Sequence, residues 1–334
     1  MKVFAPEYYQ QFRCIASACP DSCCKEWAVD VDPEAAAMYR QLPGTLGDRL
    51  RQVLQDTEDG TIMTIENGRC PMWRQDGLCR IQAELGHDAL CQTCRNFPRL
   101  RHDYGDFVEL GLELSCPEAA RLIFSAKDHR LTGADVPGGE APEYDEEAMA
   151  TLRRSREEIL DFLDRKDFSL SASLAILLLY GYSVQNELDG GEEAVLAPEA
   201  CLEEARGYAK PGDIQCVFDF FSKLEILTEQ WKTRLSAGPV NFIWNENLRP
   251  LLQYGICRYW LQAVSDYDLI CRIKFLIAAC LLVNALGGDP TETAQLFSKE
   301  IENDPDNLEA ILDGAYTDPA FTDTNILGLL FSAQ

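Results

Sequence analysis

The chain has no run of about 18 uncharged apolar residues, the length that a membrane-spanning helix requires. Its longest apolar stretches, at residues 174–180 and 275–286, are shorter and are typical of buried helices. The N-terminal residues also lack the apolar core and the cleavage site of a secretory signal. We therefore expect a cytoplasmic protein that has no membrane partner.

Positive charge is scarce, because 30 Lys and Arg side chains stand against 55 Asp and Glu side chains, giving a net charge of −25. The excess of acid is concentrated in residues 131–334, which hold 35 acidic and 15 basic side chains. A nucleic-acid partner is excluded, since phosphate binding needs a basic face. Such an acidic surface can attract a lysine-rich protein, or it can serve solubility alone.

Several motifs that identify common enzymes are missing. The sequence has no glycine-rich dinucleotide fingerprint after a strand, no phosphate-binding P-loop and no G-x-S-x-G element. It also lacks a Cys-x3-Cys-x2-Cys run, because the cysteine that would follow Cys19 and Cys23 is replaced by Glu26. These absences argue against ordinary dinucleotide, nucleotide-triphosphate and serine-hydrolase sites, and against the common radical S-adenosylmethionine signature.

Cysteine is abundant, with 14 residues in the chain. Nine of them lie within the first 116 residues: Cys14, Cys19, Cys23, Cys24, Cys70, Cys79, Cys91, Cys94 and Cys116. Thiols of a cytosolic protein bind soft metals more often than they form disulfides. We therefore interpret these nine as ligands of a metal or iron–sulfur centre.

The other five cysteines are dispersed through apolar, helix-like sequence: Cys201, Cys216, Cys257, Cys271 and Cys280. Free cysteine is among the residue types most often buried. We expect these five to lie in the hydrophobic core.

Ligand number does not decide which metal is bound. A structural zinc ion takes four ligands, and a cubane iron–sulfur cluster takes four thiolates, or three when one iron is open. Nine thiols are more than one four-ligand centre needs. They can also supply two such centres, with one thiol left over. Cys91 and Cys94 are separated by two residues and can face one metal, whereas the adjacent Cys23 and Cys24 point in different directions.

Other polar residues surround the Cys91–Cys94 pair. His87 and His102 flank it and are possible ligands, although a surface or core histidine is the more common case. Three arginines follow the pair in the sequence: Arg95, Arg99 and Arg101. They can compensate the charge of thiolate-bound metal, bind a carboxylate, or form surface ion pairs.

Hydrophobic periodicity predicts a mainly α protein, in which an N-terminal cysteine-rich unit packs on a C-terminal multi-helix domain. We place the cysteine-rich unit at residues 1–130, a Gly-, Pro- and acid-rich linker or exposed loop at 131–146, and the helical domain at 147–334. Helices are predicted at residues 33–54, 147–165, 171–185, 215–235, 248–263, 269–285 and 290–303, and one short strand is predicted at 107–115.

Four segments resemble flagellin lysine-N-methylases in order and approximate spacing. They are FRCIASACPDSCCKEW at residues 12–27, GLCRIQ at 77–82, LCQTCRNFPR at 90–99 and LSCPEAA at 114–120. The resemblance covers residues 4–125. The helical part, notably residues 259–286, is compatible with it but less distinctive.

The resemblance implies transfer of a methyl group from S-adenosylmethionine to the ε-amine of surface lysines on flagellin. It also implies an iron–sulfur centre, expected to be 4Fe-4S, held by cysteines; the wider group of such proteins is described as zinc- or iron-chelating. It identifies neither the catalytic base nor the residues that bind S-adenosylmethionine. The competing hypotheses are a non-catalytic metal-binding protein, an iron–sulfur redox protein and a structural zinc module.

Overall fold

The computed structural model describes residues 1–138, 141–241 and 243–331. Within them the chain is mainly helical, as predicted, with sixteen α-helices. Six lie in the N-terminal part: α1 Glu7–Gln11, α2 Pro33–Gln41, α3 Gly44–Val53, α4 Arg80–Leu85, α5 Gln92–Asn96 and α6 Pro117–Ser125. Ten follow: α7 Glu146–Arg165, α8 Leu170–Leu188, α9 Pro198–Tyr208, α10 Ile214–Phe221, α11 Glu229–Ala237, α12 Arg249–Tyr259, α13 Leu269–Leu286, α14 Pro290–Ile301, α15 Pro305–Thr317 and α16 Asp323–Phe331.

The N-terminal part also contains strands, most of which the sequence did not predict. They are β1 Lys2–Pro6, β2 Val29–Val31, β3 Leu54–Asp56, β4 Thr61–Met63, β5 Arg99–Asp103, β6 Phe107–Leu112 and β7 Leu131–Asp135. One sheet has the order β5-β6-β1-β7 and the other has the order β2-β4-β3. Strand β1 runs parallel to β6, and the remaining neighbours are antiparallel.

Helix α13 lies at the centre of the larger core, and all of its residues are buried. With a mean hydropathy of 2.1 over 18 residues, it is long and apolar enough to cross a bilayer by length and composition. The whole helix is nevertheless enclosed by the rest of the protein. Complete burial of this kind is typical of the core helix of a globular fold.

Buried apolar residues form two clusters. The larger one joins helices α7–α16 to side chains of the first strand–helix unit, of β6 and of α6, including Tyr8, Phe107 and Ile123. The smaller one draws only on residues 29–91 and is built around Tyr39 and Leu50. The N-terminal part therefore shares its outer segments with the helical core and keeps a small core of its own. The domain boundary at residue 130 stays a prediction.

The helix predicted at residues 33–54 is wrong in one respect, because the structure divides it into α2 and α3. Asp32 caps α2, accepting a hydrogen bond from the Ala35 N–H at 3.0 Å. The break falls at Pro43, since proline disfavours the α conformation in the residue before it. Gly44 then adopts a φ of +79°, which reorients the chain.

Two other predicted helices are also shorter than expected. The segment 215–235 forms α10 and α11, because the Thr228 hydroxyl accepts from the Trp231 N–H at 3.1 Å and starts a new helix. The segment 248–263 leaves the α conformation after Tyr259 and continues as the 3-10 turn Trp260–Val264. Local capping therefore overrides an uninterrupted hydrophobic pattern.

The segment 131–146 is predicted to be a linker or exposed loop, but its first five residues form β7 and pair with β1; its role as a linker between domains stays a prediction. Gly133 lies directly over the ring of Phe4, where a Cβ atom would come within 2.5 Å of a ring carbon. Backbone pairing and this close approach explain a strand in a sequence of low strand propensity. Gly139 and Glu140 of the predicted linker lie outside the described residues.

Candidate cysteine-lined site

Seven of the nine N-terminal cysteines line one cavity of about 540 Å³. The wall is formed by the loop at residues 13–28, the segment 77–99 and the start of α6. The cysteines that line it are Cys14, Cys19, Cys23, Cys24, Cys79, Cys94 and Cys116. Cys70 and Cys91 are buried beside it. The structure therefore brings together thiols that are up to about a hundred residues apart in the chain.

Hydrogen bonds hold the loop that carries the first four cysteines. Cys14 Sγ accepts from the Ala16 N–H at 3.4 Å, and Cys19 Sγ donates to the Asp21 carbonyl at 2.9 Å. The Cys24 carbonyl accepts from the Cys70 N–H at 2.8 Å. This last bond fixes Cys70 directly behind the loop.

Three of the other cysteines stand immediately before helices: Cys79 before α4, Cys91 before α5 and Cys116 before α6. Backbone N–H groups at the start of α4 donate to Cys79, and those at the start of α6 donate to Cys116. Such donors stabilise a thiolate. Burial nevertheless raises the pKa of Cys116 to about 11.

Neighbouring thiols also hydrogen-bond to one another. Cys24 accepts from Cys23 and from Cys70, and these bonds lower the pKa of Cys24 to about 3. The same bonds raise the pKa of the two donors above that of an ordinary thiol. Cys94 donates to Cys91 and lowers the pKa of Cys91 to about 7. The site therefore favours negative charge on particular sulfurs.

The donor chemistry of this cavity fits a metal or cluster that prefers sulfur. Among the described residues, however, no three or more His, Cys, Asp or Glu side chains are arranged so that they could hold an ion. Five of the thiols instead hydrogen-bond to one another, and metal binding would exchange those hydrogen bonds for bonds between metal and thiolate. The assignment of the nine cysteines as ligands therefore stays a prediction.

The structure separates the polar residues that surround the Cys91–Cys94 pair in the sequence. His87, Arg95 and Arg99 line the cysteine cavity. His102 points into a second cavity, and Arg101 pairs with Asp103 at 2.6 Å on the exposed surface. Of the two candidate histidines, only His87 lies where it could contribute to the site.

The second cavity, of about 30 Å³, lies between the four-stranded sheet and α12. Its polar wall is formed by Tyr8, His102, Glu109, Tyr254 and Arg258. His102 Nε2 and Arg258 Nε are buried there without a hydrogen-bond partner among the described residues. A space of this size holds one or two water molecules, which would satisfy both groups.

A buried polar network connects this second cavity to the segment that carries Cys116. The Tyr254 hydroxyl accepts from the Leu114 N–H at 3.4 Å and donates to Glu302 at 3.3 Å. Glu302 also pairs with Arg258 at 3.3 Å and accepts from the Tyr259 hydroxyl at 2.6 Å. Sequence reasoning missed these residues, because a polar side chain within a helical pattern does not reveal by itself that it is buried.

Helix α14 fastens the cysteine loop to the helical core. Lys299 is 3% exposed and pairs with Asp21 at 3.0 Å and with Glu26 at 2.5 Å. Gln295 donates to the Ser115 carbonyl at 2.6 Å. The position of the loop therefore depends on a helix that lies about 280 residues further along the chain.

The expectation of burial for the five C-terminal cysteines is confirmed for Cys271 and Cys280. Cys201, Cys216 and Cys257 are half-buried and pack against the edge of the larger cluster. None of the five lines the cysteine cavity.

Comparison with known proteins identifies relatives among flagellar proteins of Salmonella. Flagellar biosynthetic protein FliU of Salmonella muenchen is 32% identical over 144 residues, which cover 39% of this chain and 82% of that protein. The chain belongs to the flagellin lysine-N-methylase family. The resemblance seen in the cysteine-rich segments is thereby confirmed.

Two other relatives in the flagellin lysine-N-methylase family come from Salmonella typhimurium and Salmonella choleraesuis, and both carry the name lysine-N-methylase. Each is 35% identical over 136 residues, or 38% of this chain. The match spans only 33% of the length of either relative. No family model and no solved structure matches the chain.

Proposed function

We propose that this protein is a protein lysine N-methyltransferase that uses S-adenosylmethionine and carries a cysteine-held iron–sulfur centre, with zinc as the alternative. The observation that carries the proposal is the cavity lined by seven thiols in a member of this family. The proposed substrate is a protein with surface lysines, and we choose flagellin because one relative is named a flagellar biosynthetic protein and another a lysine-N-methylase. The net charge of −25 supports the approach of a lysine-bearing partner.

The reaction needs a neutral amine. The lysine nitrogen attacks the methyl carbon of the sulfonium, the carbon–sulfur bond breaks, and its electron pair stays on sulfur as S-adenosylhomocysteine. The nitrogen then releases a proton to a basic group or to water. Because the ordinary pKa of lysine is about 10.4, the site must remove water from the amine or accept its proton.

The protein's own residues can supply the surroundings for this reaction. Phe12, Trp27, Leu90 and Phe97 line the cavity and exclude water, which favours the neutral amine. The nine N-terminal cysteines would hold the centre. A metal held by these thiolates would supply a charged site for orienting a ligand or would stabilise the fold of the cysteine loop.

The test begins with protein purified without air. Iron, zinc and acid-labile sulfide are measured with the visible spectrum, S-adenosylhomocysteine binding is measured by calorimetry, and methyl transfer to flagellin is followed with labelled S-adenosylmethionine. We expect iron and sulfide in equal amounts, binding, and label on lysine. Cys24→Ser and Cys94→Ser should lose metal, whereas Cys201→Ser, remote from the cavity, should retain it.

Metal-replete protein that neither binds S-adenosylhomocysteine nor methylates a lysine-bearing partner would refute the proposal. A metal that is bound without any affinity for the donor would instead support the non-catalytic metal-binding hypothesis. Zinc without colour would assign the cysteines a structural role.

A further inference from the structure

The cysteine cavity carries unpaired positive charge, which is unexpected in a chain of net charge −25. Arg13, Arg95 and Arg99 all line it. None of the three forms an ion pair with a carboxylate in the part of the chain that the structure describes. Most other arginines of this acidic protein have such a partner, so the grouping of three unpaired arginines in one cavity points to an anionic ligand.

Arg13 donates to the Gln10 and Phe12 carbonyls, whereas Arg99 is held by aromatic rings. The Arg99 guanidinium lies over the ring of Phe12, 5.1 Å from the centroid, and 6.0 Å from the centroid of Tyr9. These aromatic contacts hold the half-buried side chain in place without using its hydrogen-bond donors. Within the described residues, the guanidinium donates to no protein acceptor. An oriented guanidinium with free donors is suited to bind a planar anion.

The nearby carboxylates already bind other groups of the protein. Asp21 pairs with Lys299 at 3.0 Å, and Glu118 binds Arg121 through two hydrogen bonds of 2.8 and 2.7 Å. The Gln92 and Ala35 N–H groups and, less strongly, the nearby Arg95 lower the pKa of the Asp32 carboxyl, so Arg95 is partly compensated whereas Arg99 is not. The acids around the cavity therefore stabilise protein structure and leave Arg99 available.

We propose that Arg99, assisted by Arg95, forms a carboxylate-binding subsite that takes the α-carboxylate of the amino-acid part of the methyl donor. The inference rests on the proposed function and deepens it. A guanidinium binds a carboxylate through two parallel hydrogen bonds, and this geometry fixes the orientation of the ligand. The cationic substrate lysine is repelled from the same wall, so donor and acceptor are directed to different parts of the cavity.

The experiment compares two ligands on anaerobically purified, metal-replete protein by calorimetry. S-adenosylhomocysteine carries the α-carboxylate, whereas 5′-methylthioadenosine lacks the whole amino-acid part. We expect Arg99→Gln to weaken S-adenosylhomocysteine binding by about 30-fold and to leave methylthioadenosine binding unchanged, since a charge-assisted hydrogen bond contributes on that order. Arg95→Gln should have a smaller effect in the same direction.

The matched control is Arg101→Gln, on the same strand, because Arg101 is exposed and already paired with Asp103. It should bind both ligands as the parent does. Arg99→Lys keeps the charge and loses the paired donors. Its affinity for S-adenosylhomocysteine should therefore lie between that of the parent and that of Arg99→Gln. That variant serves as the test if Arg99→Gln fails to fold.

The outcomes separate this inference from the proposed function. If the parent binds neither ligand, the proposed function fails. If the parent binds both and Arg99→Gln binds both equally well, the carboxylate subsite is refuted while the function stands. The subsite is also refuted if Arg99→Gln loses iron or weakens both ligands alike, because the arginine would then serve the metal centre or the fold.

Discussion

At the scale of single residues, burial changes the pKa of particular ionisable groups. His129 is almost fully buried, its ring packs edge-on against Tyr8 at 5.8 Å, and its Nε2 lies 3.1 Å from the Ile123 carbonyl. Burial lowers the pKa of this histidine to about 4. Nothing in the sequence distinguishes it from the other two histidines, since only tertiary packing removes it from water.

The buried histidine should make stability depend on pH. Because the pKa is about 6.5 in the unfolded chain and about 4 in the fold, the unfolded state binds the proton more readily. The free energy of unfolding should therefore be highest above about pH 6.5 and decrease as the pH falls towards 4. His129→Gln retains an N–H donor for Ile123. Between about pH 7 and 4.5, its free energy of unfolding should therefore decrease by about 2 kcal/mol less than that of the parent.

Urea denaturation of parent and variant at both pH values measures the difference. Equal pH dependence in His129→Gln and the parent would mean that His129 does not titrate differently in the two states.

At the scale of the helices and strands, aspartate capping sets many boundaries. Asp145, Asp268 and Asp289 each accept backbone N–H bonds at the start of a helix, and the helices that they begin agree well with the predicted segments. The corner between α2 and α3 depends instead on tertiary contact. A Cβ atom at Gly47 would lie 1.8 Å from the Leu42 carbonyl oxygen.

We expect Gly47→Ala to destabilise the protein by about 2 kcal/mol, because the corner has to open to admit the methyl group. The control is Gly207→Ala in α9, where a Cβ atom would meet nothing within 4 Å. That change should stabilise the protein by about 0.5 kcal/mol through helix propensity. Thermal or urea unfolding compares the two. A Gly47→Ala variant as stable as the parent would contradict the close approach.

At the scale of the whole molecule, the cysteine loop is placed by the C-terminal helices. Lys299 of α14 lies between Asp21 and Glu26, so a cation of the helical core holds carboxylates of the loop. Removing the cation from a largely buried group of ion pairs leaves the charges of its carboxylate partners uncompensated. The geometry of the cavity should therefore depend on a residue that does not line it.

Lys299→Met is expected to lower the free energy of unfolding by about 2 kcal/mol and to speed amide hydrogen exchange in residues 13–27. Lys232→Met is the control, because Lys232 forms an exposed pair with Glu229. It should change stability by less than about 0.5 kcal/mol and leave the exchange of the loop unaltered. Loop exchange that is unchanged in Lys299→Met would show that the loop is held in place by other contacts.

The sequence by itself predicted the features that depend on local patterns. Apolar spacing identified helices α7, α8, α13 and α14 nearly to their ends, because the apolar pattern of each lies within one chain segment. Cysteine spacing and the flanking motifs indicated the family, which the comparison confirmed. The clustered cysteines also indicated which part of the chain contributes to the candidate site.

Only the tertiary structure decided which residues meet. Strand β7 forms because its backbone groups hydrogen-bond to those of β1. The sequence of residues 131–135 does not by itself predict this pairing. The convergence of the seven thiols with Arg99, and the engagement of Asp21 by Lys299, join segments that are distant in the sequence. Such contacts depend on how helices and sheets pack, and a single sequence records packing only through composition and periodicity.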